Sequence, residues 1–241
     1  MDITTSKKEN SSAISITGEF NKERDEECED VMHIDEISGI KFFGLADGQT
    51  GKKHCRIGGN KVLDAVFRLV ADIGITQMAQ YEYMDELQYE IIHVIRETID
   101  NLAASESEVK DSYASTLVVF AYDELTHDCV FIHLGDGSII GHRTRGDILM
   151  ISAPENGLTT DYAWLTTSQD ALNHLRIGFG NVNCFDRIVL ITDGAKAIAR
   201  GKNIAERTKQ IIRTGSQEDV VKLLLETPHR DDASCIIVDL C

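Results

Sequence analysis

The sequence has no Cys-x-x-Cys pair and no zinc-ligand spacing among its six cysteines, Cys28, Cys55, Cys129, Cys184, Cys235 and Cys241. That absence excludes a zinc finger or a dithiol redox motif and leads to the expectation of free thiols in a reducing compartment. The amino-terminal MDITTSKKEN contains no apolar signal core, and no uninterrupted apolar run is long enough to span a bilayer, so a cytoplasmic protein without a membrane partner is expected. Positive charge is scarce. Against 40 Asp and Glu stand 24 Lys and Arg, giving a formal net charge of -16, which argues against a nucleic-acid partner. Such an excess of carboxylate is either a solvated acidic surface or, in part, a cation site.

What is present suffices for one sizeable core: 241 residues, 42% of them hydrophobic, with nothing that divides the chain, so a single domain over residues 1–241 is expected. SSAISIT reads as a short strand, KERDEECED as a polar loop and VMHID as a second strand. After a turn at Ser38-Gly39, IKFFGLA is a nearly continuous apolar run, the pattern of a strand buried on both faces. Apolar residues at helical spacing predict helices over residues 60–73, with Gly58-Gly59 ahead as a loop, and over 84–104. ASTLVVFAYDE and DCVFIHLGDGSIIGHR then read as an antiparallel pair joined by a short turn at Leu125-Thr126-His127. Residues 144–185, with Pro154, Asn156-Gly157 and the Thr-rich TTDYAWLTT, read as loops with short strands. RIVLITDG is a further strand, helices follow over 204–213 and 218–226, and RDDASCIIVDL closes the chain as a strand. The order lacks the βαβ alternation of a doubly wound sheet and predicts an α+β sandwich of antiparallel sheets with helices outside.

Four of these elements put aspartate at a strand end: Asp47 in LADG, Asp136 in LGDG, Asp193 in ITDG and Asp231-Asp232 in HRDDAS, with Glu29-Asp30 directly before VMHID. Any single Asp-Gly is a turn signal. Several carboxylates brought together at neighbouring strand ends repel one another unless a cation sits among them. Oxygen-only ligands favour Mg²⁺, Mn²⁺ or Ca²⁺, and the glycine beside Asp47 would let a backbone carbonyl approach the ion. DEECED lacks the spacing and central glycine of a calcium loop and, Glu29-Asp30 apart, reads as a solvated loop. Histidines 54, 127, 133, 142, 174 and 229 show no ligand spacing and read as surface or packing residues; His229, near Asp231, is the one placed to line a site. Trp164 reads as part of a small core cluster rather than a substrate platform, and Cys28 as a buried thiol.

The ordered set CEDVMHI, FFGLADGQTG, YASTLVVF, HLGDGSIIG, RIVLITDGA and RDDASCIIVDL resembles the metal-dependent Ser/Thr protein phosphatases of the type 2C class, in particular their compact bacterial branch. The resemblance implies an α-β-β-α sandwich, two antiparallel sheets flanked by helix pairs, with two Mn²⁺ or Mg²⁺ ions in a cleft between the sheets. It implies that Asp47 bridges both ions, that Asp193 and Asp231 complete one, and that the Gly48 carbonyl with Glu29 and Asp30, partly through water, completes the other. HLGDGSIIG matches the family's Gly-Asp-Ser hairpin, and Asp136 a position associated with a third, weaker ion. The chemistry implied is attack of hydroxide, supplied by a water bridging two cations, on a phosphoserine or phosphothreonine of a protein substrate.

Three positions depart from the family pattern. Gln49 replaces a His found in many members, and cannot act as a general acid at neutral pH. Asp25 stands where a phosphate-binding Arg is usual; Arg24, one residue away, takes that role, or phosphate binding is weaker or supplied by Lys52, Lys53 or Arg56. Thr50 replaces a second glycine, and the segment 144–185 is short, implying a reduced substrate-facing flap. The main expectation is a monomeric cytoplasmic protein phosphatase. The rival is a catalytically weak or inactive relative that binds a phosphoprotein, and a phosphoesterase of small molecules is a third reading.

Overall fold

A computed structural model of the chain describes residues 3–8, 10–156 and 163–240. In chain order the elements are β1 (Ile3–Lys8), β2 (Ser11–Ile16), α1 (Glu19–Glu23), β3 (Val31–Ile37), β4 (Ile40–Ala46), α2 (Cys55–Ile73), α3 (Ile75–Met78) and α4 (Met84–Glu106). They continue with β5 (Leu117–Asp123), β6 (Asp128–Leu134), β7 (Ser138–Arg143), β8 (Ile148–Ser152), α5 (Ala171–His174), β9 (Arg176–Asn181), β10 (Phe185–Ile191), α6 (Glu206–Thr214), α7 (Gln217–Leu225) and β11 (Ala233–Asp239).

The strands form two antiparallel sheets, one in the order β1-β2-β11-β10-β7-β8 and the other β3-β4-β5-β6-β9. Alternate residues of the apolar strands serve different layers. Phe43, Leu45, Val118, Phe120, Leu190 and Ile236 meet between the sheets. Their neighbours Phe42, Ala46, Leu117 and Val119 pack outward beneath α2 and α4. Val189, Ile191, Cys235 and Ile237 pack outward beneath α6 and α7. With both faces buried, period-two polarity disappears, which is why IKFFGLA and RIVLITDG read as continuous apolar runs. The result is the expected α-β-β-α sandwich.

Three local expectations are corrected. Gly58 and Gly59 lie inside α2, which starts at Cys55. A Cβ on Gly58 would stand 2.2 Å from the Tyr113 carbonyl oxygen, so the pair permits close packing of the helix rather than forming a loop. DCVFIHLGDGSIIGHR is neither one strand nor a hairpin: Gly135, at φ +110°, turns the chain so that β6 stays in the five-stranded sheet and β7 joins the six-stranded one. The chain also has an edge strand that the sequence reading did not anticipate, the wholly exposed β1.

The Ser38-Gly39 turn is as expected, both residues having positive φ and Ile37 pairing with Ile40. The stretch 144–185 does contain short strands, β8 and β9; the expectations for Gly157 and for residues 159–162 of the Thr-rich patch lie outside the described residues, as does that for Cys241. The other five cysteines are free. No helix among the described residues is long and apolar enough to cross a membrane.

Candidate active site

The strand-end aspartates arrive from both sheets. Asp47 follows β4 and Asp136 stands on the crossing from β6 to β7, while Asp193 follows β10 and Asp231 precedes β11. All four line one cavity of about 900 Å³, together with Gly48 and Gln49. Reciprocal bonds set the position of Asp47. Its N–H donates to Thr116 Oγ1 at 3.0 Å, and the Thr116 N–H donates to the Asp47 carbonyl at 2.8 Å. At Gly48 a Cβ would fall 2.7 Å from Cys55 Sγ and 2.8 Å from the Glu29 carbonyl oxygen, so only glycine allows this approach.

Burial and mutual repulsion dominate the electrostatics. Burial first, then the charges of Asp30, Asp193, Asp136 and Asp231, hold the Asp47 carboxyl well above the ordinary carboxylate range. Desolvation and the charge of Asp193 push Asp136 up to about 7, and the same two causes raise Asp231. Lys196 acts in the opposite direction on both.

Glu29 and Asp30 are not among the residues that line the cavity. Asp30 is buried behind it, raised by desolvation, with Oδ2 accepting from Thr192 Oγ1 at 2.9 Å and Oδ1 without a hydrogen-bond partner. Glu29 accepts from the Gly51 N–H at 3.2 Å and from Asn21 Nδ2 at 3.3 Å. Cys28, beside them, is half-buried, its Sγ 3.0 Å from Ser15 Oγ, and burial pushes its thiol up.

The closing aspartate pair divides its work. Asp231 is exposed and faces the cavity, whereas Asp232 is buried and accepts from the N–H groups of Gly18 at 2.7 Å and Glu29 at 2.5 Å and from Asn21 Nδ2 at 2.8 Å. The sequence reading left Asp232 without a role. Its only signal there was that the second residue of the pair stands directly before a buried strand.

Among the described residues no three His, Cys, Asp or Glu side chains gather into a metal-ligand set, so the carboxylates share a cavity without closing on one point. Their chemistry nevertheless fits a hard divalent cation: oxygen donors only, three carboxyls raised by burial and by neighbouring carboxylate charge, and one buried oxygen of Asp30 without a partner.

The cations are not where the sequence reading placed them. Arg24 is paired with Glu26, stacks over the Phe20 ring and does not line the cavity. Lys52, Lys53 and Arg56 are paired with Asp111, Glu108 and Glu27 and also lie outside it. The cavity cations are Lys196, Arg200 and Lys202, on the turn after β10. They follow the ITDG motif directly in sequence, a signal that was visible and passed over because that stretch was read only as the approach to a helix. No histidine lines the cavity: His229 is buried against the carbonyls of Gly194 and Leu224. Trp164 stacks on His174 at 3.7 Å and packs against the core, as expected.

Among solved structures, the serine/threonine phosphatase Stp1 of Staphylococcus aureus is similar over 96% of this chain and 94% of its own, with a TM-score of 0.69 and 16% identity. The serine/threonine phosphatase PstP/Ppp of Mycobacterium tuberculosis is similar over 95% and 97%, with a TM-score of 0.60 and 15% identity. RsbX, solved in complex with magnesium, is similar over the whole of both chains, with a TM-score of 0.62 and 13% identity. At these identities the likeness is one of fold. No curated protein matches by sequence. The Protein phosphatase 2C family model matches residues 17–227, a span that contains Asp47, Asp136 and Asp193 and stops four residues before Asp231. With most of the chain matched and the two-sheet fold shared, the chain belongs to the protein phosphatase 2C family.

Proposed function

We propose that the protein is a metal-dependent phosphatase that hydrolyses phosphoserine and phosphothreonine in proteins. The observation that carries this reading is the delivery of Asp47, Asp136, Asp193 and Asp231 to one cavity from the strand ends of both sheets, in a chain of the phosphatase family. Asp47, Asp193 and Asp231 would hold one of two Mn²⁺ or Mg²⁺ ions. Asp47 would be shared with a second, held also by the Gly48 carbonyl, Glu29 and Asp30, and Asp136 would serve a third. When bound, such ions lower the pKa of water and neutralise the phosphoryl charge.

The chain's own residues set the rest. The Thr116 bonds hold Asp47 in register, and the Thr192 hydroxyl holds one oxygen of Asp30, leaving the other free to ligate. Lys196, near Asp136 and Asp231, supplies positive charge to the phosphoryl oxygens in the place of the displaced Arg24. Gln49 in the cavity wall can hydrogen-bond the substrate but cannot protonate an alkoxide, so the leaving group takes its proton from water.

The test is hydrolysis of para-nitrophenyl phosphate and of a phosphothreonine peptide with Mn²⁺, Mg²⁺ or EDTA, beside Asp47→Asn. Metal-dependent turnover, lowered at least about 100-fold in the variant, is the expected result. Full activity in Asp47→Asn overturns the assignment of Asp47, and absence of turnover despite calorimetric binding of Mn²⁺ makes the protein a phosphoprotein-binding relative.

A further inference from the structure

The cavity carries all its positive charge on one short segment. Lys196, Arg200 and Lys202 are exposed, and the other described residues that line the cavity carry no positive charge. None of the three forms an ion pair among the described residues. By contrast, the cations expected from the sequence to meet the phosphate, Arg24, Lys52, Lys53 and Arg56, are each paired with a carboxylate.

The segment that presents them is fixed. Ala195, Ile198 and Ala199 are buried in the cluster beneath α6 and α7. Arg200 and Asn203 exchange backbone hydrogen bonds of 2.9 and 3.1 Å around Gly201, which sits at φ +57°, so Arg200 and Lys202 flank one residue of a tight turn. Lys196 is close enough to Asp136 and Asp231 to favour their charged forms, and the exposed Arg200 and Lys202 stand in the wall of the same cavity.

We propose that Arg200 and Lys202 form a substrate-reading subsite that selects phosphorylated segments with acidic side chains beside the phosphorylated residue. This rests on the phosphatase reading and specifies its substrate class. An extended peptide advances about 3.3 Å per residue, so with the phosphate at the carboxylate centre its near neighbours reach the rim. A chain of net charge -16 repels an acidic peptide, and these two cations, which form no ion pair among the described residues, offset that repulsion at one place and in one register. A polyanion such as nucleic acid would bring phosphates against the acidic floor as well as the rim, so a short acidic peptide segment is the better fit.

The experiment uses two phosphothreonine peptides that differ only in Glu or Gln at the flanking positions. Hydrolysis with Mn²⁺ is compared for the wild type and Arg200→Ala/Lys202→Ala, and binding is read by fluorescence anisotropy in the Asp47→Asn background, where turnover does not consume the probe. The wild type is expected to favour the Glu peptide about fivefold or more in kcat/KM, chiefly through KM, with the ratio shrinking as salt is added. In the double variant the ratio falls to about 1, and Arg200→Glu/Lys202→Glu turns the preference toward a Lys-flanked peptide. Equal turnover and equal binding of the two peptides by the wild-type subsite, or a preference that the double variant keeps, overturns the proposal. If para-nitrophenyl phosphate and both peptides go unhydrolysed, the phosphatase reading fails on its own, and the anisotropy comparison still decides the subsite: tighter Glu-peptide binding lost with both cations upholds it, equal binding removes it.

Discussion

Thr192 Oγ1 donates to Asp30 Oδ2 at 2.9 Å and accepts from the Ser234 N–H at 2.9 Å. The hydroxyl thus joins the end of β10 to the start of β11 and carries the bond on to a buried carboxyl that precedes β3. Thr192→Val keeps the side-chain shape and removes both bonds, so Asp30 Oδ2 loses its donor and the buried Ser234 N–H its acceptor. The expected loss is about 1–3 kcal/mol of stability, read as a lower urea midpoint at unchanged slope.

Asp231 and Asp232 are adjacent and should behave in opposite ways. Asp232→Ala leaves three donors without their acceptor and is expected to cost about 2–4 kcal/mol. Asp231→Asn changes an exposed side chain and is expected to leave the unfolding free energy within about 0.5 kcal/mol of wild type while abolishing Mn²⁺-dependent turnover. Urea titration and the para-nitrophenyl phosphate assay on the same two preparations separate the outcomes. Equal destabilisation would refute the division of labour.

His133 gives a dependence on pH. Burial, and then the charge of Arg176, push its pKa down to about 3, and its Nδ1 lies 3.0 Å from Arg176 and 2.7 Å from Ser152 Oγ. The unfolded chain takes up the proton near pH 6.5 and the native one does so only near 3, so the stability contribution is whole above 6.5 and falls as the pH drops between these values. Between pH 7 and 5 the loss should be about 1–2 kcal/mol. Because the cavity carboxyls, with raised pKa, act with the opposite sign, the readout is the wild type minus His133→Gln. A difference that does not change with pH would show that the ring takes up its proton alike in the folded and unfolded chain.

Much of this architecture was legible because a strand buried on both faces leaves an unmistakable apolar run, and three such runs end at aspartate while a fourth begins after one. The pairing of Ile37 with Ile40 followed from Ser38-Gly39, a turn whose geometry its residues dictate. What escaped the sequence depends on distant partners. Gly58-Gly59 carries the signature of a loop, and only the approach of Tyr113, more than fifty residues on, makes it helix interior. At Gly135 the sequence marks a turn but not a change of sheet, since β6 and β7 are both buried. Arg24 stood one residue from the motif position, but Glu26 and Phe20 hold it, and no pattern in the chain announces which cation a carboxylate will claim.

The crossing at Gly135-Asp136-Gly137 has a mechanical meaning. Asp136 rides on a short connection that leads from a strand of one sheet to the next strand in the other, while Asp47 follows a strand of one sheet and Asp193 and Asp231 adjoin strands of the other. A small sliding of the sheets against each other would therefore change the spacing of every carboxylate pair that spans the seam. A cation held by Asp47 and Asp193 would act as a rivet through both sheets, tying the register of the phenylalanines between them to the occupancy of the cavity.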